Sequence, residues 1–128
     1  MWGVRSWIAA GIDVVMVLLF AMVGRRSHSE TDTVLGVLQT AWPFLVAAVV
    51  GSLIALLWHD AYGWRSALTV WLTTVVGGML LRLASGDTAA WPFWIVAFIT
   101  LGILIVGWRL IARSVLRVRA SRHPDPAR

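Results

Sequence analysis

The sequence predicts an all-α integral membrane protein, a four-helix up-down-up-down bundle. Three observations predict it. The apolar fraction is 59 % and the charged fraction 13 %, against about 25 % charged in an ordinary soluble domain. The apolar residues fall into four blocks, each near the roughly 20 residues that cross a bilayer. The arginines and tryptophans gather at the block ends. With 128 residues, the chain has room for one domain.

The first block runs from Ser6 to Val23, the second from Ala41 to Trp58, the third from Ser66 to Leu83 and the fourth from Trp91 to Ile111. They are apolar on every face and do not alternate, which argues against strands. A helix pairs its backbone groups within one segment, as lipid demands. The first block, preceded by Arg5 as a signal peptide would be, is expected to be a retained helix: Asp13 lies inside it and no small-x-small cleavage site precedes Gly24-Arg25-Arg26. Gly24 to Thr40 is polar and forms the longest connection, while His59 to Arg65 and Ala84 to Ala90 are tight. Short links make consecutive helices antiparallel neighbours. Residues 1–111 therefore form the transmembrane domain and 112–128 a basic tail. Its first part continues the pattern of the fourth helix and could lie along a leaflet. His123-Pro124-Asp125-Pro126 cannot continue a helix, and disorder is expected there.

Charge orients the bundle. Net charge is +5, and all eleven basic residues are arginine. Arg5, Arg65, Arg109, Arg113, Arg117, Arg119, Arg122 and Arg128 fall on one side, against Arg25, Arg26 and Arg82 on the other. Positive charge is retained inside, so both termini are expected in the cytoplasm and the protein in the inner (plasma) membrane. The partners expected are the bilayer and anionic lipids at the basic tail, with a homo-oligomer or a larger membrane complex as the assembly and no nucleic acid. Trp7, Trp42, Trp58, Trp64, Trp91, Trp94 and Trp108 lie at or near span ends, where an indole anchors a helix at the headgroups. Trp71 sits deeper, as a packing residue would.

A quartet repeats. Ala41-Trp42-Pro43-Phe44 opens the second block and Ala90-Trp91-Pro92-Phe93 the fourth. The chain thus reads as two tandem helical hairpins of like orientation, an arrangement known in transporters. Proline also suits any helix's first turn, so two helices entering from one side could acquire the same start independently.

Asp13, Phe20-Ala21-Met22-Val23-Gly24-Arg25-Arg26-Ser27-His28, Thr40-Ala41-Trp42-Pro43-Phe44 and Gly78-Met79-Leu80-Leu81-Arg82 together form a pattern that resembles the domain-of-unknown-function family numbered 3054. The resemblance covers nearly the whole chain apart from the tail. It implies a small four-helix membrane protein and carries no established activity.

Two polar groups stand out. Asp13 lies about 10 Å below the near surface at 1.5 Å per residue, where a charge costs about 2.5–3.5 kcal/mol on insertion scales. It should face the bundle interior. Ser52, Thr69, Thr73, Thr74 and Thr100 are candidate partners at similar depth; Ser52, Thr73 and Thr74 complete the candidate intramembrane site. Asp13 could carry a proton or bind a cation. The plainer reading is an interhelical hydrogen bond that fixes packing. Arg25, Arg26, His28 and Arg82 form a candidate outer-face site for an anion or lipid phosphate, with ordinary interfacial capping as the plainer reading. Gly24 is expected to stop the first helix in the left-handed conformation.

No cofactor is expected. The chain lacks cysteine, which excludes disulfides, Fe–S clusters and thiol catalysis. Its histidines are too scattered to ligate one haem. No catalytic motif is evident, though His28 within reach of Asp13 would revive an enzyme. The reading that remains is a structural or accessory membrane subunit, with a small proton- or ion-coupled transporter built on Asp13 as the alternative.

Overall fold

A computed structural model describes residues 3–27, 34–86 and 91–122. They form α1 (Val4–Ser27), α2 (Val34–Ala55), a single 3₁₀ turn (Leu56–Trp58), α3 (Trp64–Ala84) and α4 (Trp91–Arg122), with no strand among the described residues. All four helices are long and apolar enough to cross a membrane, as expected of a small multi-span membrane protein. They close into a ring. Contact is most extensive between α2 and α3 and sparsest between α4 and α1. Neighbours run antiparallel, as the short links require. The end where α1 begins and α4 finishes is the proximal end; the other is the distal end.

Why these helices pack follows from residue size. Alanine supplies half of the buried apolar positions among the described residues, including Ala9, Ala21, Ala47, Ala48, Ala67 and Ala97, while Leu19, Val49, Leu53, Leu72, Val76 and Ile103 point outward. Small residues at the seams are what lipid favours, because close backbone approach supplies the attraction between helices. The α2–α3 seam is the clearest case. A Cβ on Gly51 would lie 3.2 Å from the Val70 backbone, one on Gly77 3.0 Å from Ala47, and one on Gly78 only 2.3 Å from the Phe44 ring. Between α3 and α4, Trp71 covers Gly102 and its indole N–H donates to the Phe98 carbonyl at 2.9 Å.

Three boundaries differ from the expected spans: the end of the first, the start of the second and the end of the fourth. The helix α1 does not stop at Gly24 but runs through Arg25 and Arg26 to Ser27. Among the described glycines only Gly86 has positive φ. The apolar run simply carries the helix onward, since nothing at Gly24 demands a left-handed turn. The helix α2 begins at Val34 rather than Ala41, so Pro43 lies inside it. Val34, Leu35, Val37 and Leu38 supply an extra apolar stretch that the polar look of Gly24 to Thr40 concealed. Pro43 has no N–H for the Gln39 carbonyl one turn back. Just before it, the Thr40 hydroxyl donates to the Gly36 carbonyl at 3.2 Å. The repeated quartets are therefore not equivalent: Pro92 sits in the first turn of α4, Pro43 deep in α2. At its other end α4 continues unbroken to Arg122, 32 residues in all, about 48 Å at 1.5 Å per residue. His28 and the terminal His123-Pro124-Asp125-Pro126 lie outside the described residues.

Gly78 gives a direct test. Adding a methyl there forces the buried Phe44 ring aside, and overpacking typically costs about 1–3 kcal/mol. Gly78→Ala should lower the thermal midpoint in detergent. Gly107→Ala, where a Cβ meets nothing within 4 Å, should leave it unchanged or raise it. Equal behaviour of the two variants would contradict the packing described.

Candidate functional site

The site is built by a carboxylate that cannot remain alone. Asp13, midway along α1, is 1 % exposed. Its partner is Arg109 of α4, itself 3 % exposed. The Arg109 Nη1–H donates to Asp13 Oδ1 and the Nη2–H to Oδ2, both at 2.8 Å. This bidentate fork is the strongest geometry an arginine can offer a carboxylate. The indole N–H of Trp108 is the third donor to the carboxylate, reaching Oδ1 again at 2.8 Å.

Arg109 reaches this position because side chains on a helix lean toward its N-terminus. On α4 that direction runs from the proximal end into the bundle. The guanidinium lies back along its own helix, where Nη1–H also donates to the Ile105 carbonyl at 3.3 Å. Its Nε–H donates to the Ala61 carbonyl at 3.0 Å, in the connection between α2 and α3. One side chain therefore ties α1, α4 and the α2–α3 connection together. An arginine so placed dives toward the bilayer interior instead of snorkelling out of it.

Aromatic rings cover the pair from the proximal side. Tyr62 stands edge-on to Trp108 with centroids 5.7 Å apart, and the Arg5 guanidinium lies 5.6 Å from the Tyr62 ring centre. On another side, a cavity of about 30 Å³ is lined by Ser6, Ser52, His59, Asp60, Ser66 and Arg109, among others. The Ser66 hydroxyl donates to the Asp60 carbonyl at 2.6 Å. His59 takes a left-handed conformation, φ 57°, which histidine adopts more readily than most residues; it closes the 3₁₀ turn after α2.

The distal half is different. Phe20, Phe44 and Phe93 meet there, with centroids 5.2, 6.1 and 6.2 Å apart. The Arg82 guanidinium sits 4.5 Å over the Phe93 ring, a cation–π contact. Met79, Val17 and Leu101 fill the layer beneath and are fully buried.

The residues expected around Asp13 are distributed otherwise. Its hydrogen bonds go to Arg109 and Trp108, not to hydroxyls. A full opposite charge satisfies a buried carboxylate far better than neutral donors do. Ser52 lines the cavity beside Arg109, and Thr73 packs against Gly51. Thr69 accepts the Trp58 indole N–H at 2.9 Å. Thr74 is fully buried, and its hydroxyl has no hydrogen-bond partner among the described residues. Of the outer-face group, Arg82 is placed as above. Arg25 and Arg26 are placed only as helical positions of α1, and His28 is outside the described residues.

Arg109 and Trp108 were the residues sequence reasoning missed. Arg109 reads as one more interfacial charge at the end of a span, and Trp108 as an anchor. The available signal was electroneutrality. Asp13 is the one acid within the four predicted spans, and Arg109 is the first cation met on the fourth.

The ion pair can be measured by a double-mutant cycle. Breaking a buried pair from one side typically costs about 3–5 kcal/mol, because the other charge is stranded. Asp13→Leu alone and Arg109→Met alone should each destabilise strongly. The double variant should recover most of the loss, since two apolar side chains replace two charges. Simple additivity in the double variant would count against the pairing.

No curated protein and no solved structure matches the chain significantly. The family model described as "Protein of unknown function (DUF3054)" matches residues 10–112, from just before Asp13 to just after Arg109. The chain belongs to that DUF3054 family.

Proposed function

We propose that this protein is a structural or accessory subunit of a membrane assembly, built around a locked ion pair. The observation that carries this reading is the saturation of Asp13. Both its oxygens are engaged by Arg109, and Oδ1 also by Trp108. The one membrane-embedded acid is thereby spent in holding α1 to α4. A coupling group in a transporter must exchange its proton or ion during the cycle, which requires breaking this pair.

The second reading, a small proton- or ion-coupled transporter, draws on the cavity beside Arg109. Against it, the distal half of the bundle is filled by the phenylalanine layer. A continuous path would then need a second copy of the chain.

The orientation that accords with these readings puts the proximal end in the cytoplasm. Pairing removes Arg109 from the charges that headgroups can hold. Arg5, Arg65, Arg113, Arg117, Arg119, Arg122 and Arg128 still outnumber Arg25, Arg26 and Arg82, so the bias survives. The overhang of α4 presents Arg113, Arg117 and Arg119 beyond the ring, where anionic headgroups are the natural partner.

Reconstitution in liposomes with an enclosed pH dye tests the function. A subunit of this kind should leave an imposed pH gradient intact, and Asp13→Asn should behave like the parent. Gradient collapse in the parent that Asp13→Asn abolishes would replace this reading with transport. Orientation is tested by single cysteines, free of background because the chain has none. Ser121→Cys should react with an impermeant reagent only from the cytoplasmic side, and Ser85→Cys only from outside.

A further inference from the structure

We propose that the proximal half of the bundle holds a built-in hydration site, in which internal water bound at Arg109, Ser52 and Ser66 reaches toward Thr74. This goes beyond the role of the ion pair and does not depend on whether the protein is a subunit or a transporter.

Two independent observations carry it. The first is the cavity. Its 30 Å³ is room for about two waters, each needing roughly 10–15 Å³ of such space. An apolar void of that size would stay dry. This one has Ser6, Ser52, Ser66, His59, Asp60 and Arg109 in its lining beside alanines, Leu56 and Val70, and a water needs two to four polar partners. Arg109 has a donor to spare. Its Nε–H goes to Ala61, its Nη1–H groups to Asp13 and Ile105, and one Nη2–H to Asp13. A guanidinium carries five N–H groups, so one on Nη2 finds no acceptor among the described residues.

The second observation is Thr74. Its hydroxyl is fully buried and unpartnered. A helical threonine ordinarily turns its hydroxyl onto the carbonyl four residues back, as Thr40 does here. Thr74 does not, although that carbonyl belongs to Val70. Buried hydroxyls are almost always paired with protein or ordered water. Ser66, Val70 and Thr74 are spaced by four along α3, so they lie on one helix face. Ser66 and Val70 line the cavity, and Thr74 is the next position on that face. A water standing past Val70 gives the Thr74 hydroxyl its partner and continues the file that begins at Arg109.

The phenylalanine layer and Met79, Val17 and Leu101 fill the distal half of the bundle. The hydration site belongs to the proximal half, where the cavity lies.

X-ray radiolytic labelling in ¹⁸O-water tests this in the full chain. Hydroxyl radicals form from the water itself, so a buried side chain is oxidised where a water touches it. Val70, which is 0 % exposed, should take up label well above Val17, which is equally buried but lies toward the distal half. Label at Val70 no greater than at Val17 would overturn the proposal. Ala55→Leu grows a side chain from the cavity wall and should bring Val70 down to the Val17 level; unchanged labelling would mean the water is not in this cavity. Thr74→Val reads the far end of the file. If the hydroxyl is dry and unpaired, removing it raises the thermal midpoint. If water satisfies it, the midpoint stays or falls, and a rise would sink the extension to Thr74.

Discussion

The Asp13–Arg109 pair is the constraint on which the rest of the bundle depends. Helices in lipid gain nothing from hiding apolar surface from one another, so each seam needs close packing or polar contact. Glycine and alanine hold α2 to α3. The seam between α4 and α1 is the sparsest, and there the attraction is electrostatic. Neither charge is acceptable alone at that depth. Together, in bidentate geometry and with the Trp108 and Ala61 contacts, they form a neutral unit that joins first helix to last. The pair closes the ring and also sets its register, because a fork-to-fork contact tolerates little sliding.

From this constraint follows the difference between the two halves. Around the pair the bundle must supply polar neighbours, and serines, a histidine and backbone carbonyls gather there. Away from it nothing polar is needed, and three phenylalanines fill the space between four helices. The repeated quartets meet in that distal layer: Phe44 and Phe93 close them and their rings are 6.2 Å apart. Their prolines occupy different helical positions. What the two copies share is thus the ring at the distal layer, and a common helix start does not explain them both. Gly78 is the counterpart on α3, since only a residue without Cβ leaves room for Phe44.

Much of the fold was legible in the sequence because lipid imposes a long-wavelength signal. Four apolar blocks with short links allow little besides an antiparallel bundle, and block ends are marked by arginine and tryptophan. The start of α2 was obscured because the polar residues before Val34 and Gln39-Thr40 after it made the short apolar stretch of Val34, Leu35, Val37 and Leu38 read as part of a connection. The depth of Asp13 was legible; its partner was not. Depth was read from Cα positions at 1.5 Å per residue, which assigned Arg109 to the surface. An arginine side chain is long enough to move its charge by more than a helical turn, and its direction is set by the lean of side chains toward a helix N-terminus. On a helix ending at the proximal side that lean points inward. The same residue at the start of a span would point outward and snorkel.

The ion pair also bears on how the chain can assemble. Its partners are 96 residues apart, on α1 and α4. When α1 enters the membrane, Asp13 has no cation to meet, and at mid-span that condition costs about 2.5–3.5 kcal/mol. The helices α2 and α3 bring no arginine to that depth, since Arg65 and Arg82 sit at their ends over Trp58 and Phe93. Their own seam can form at once from Gly51, Gly77 and Gly78, and α1 packs on that hairpin through α2, its carboxylate still without a cation. Only with α4 in place does Arg109 reach both Asp13 and the Ala61 carbonyl. Ring closure, neutralisation of Asp13 and anchoring of the α2–α3 connection are then one event. A chain truncated before Arg109 would retain four apolar segments and leave Asp13 buried without its cation.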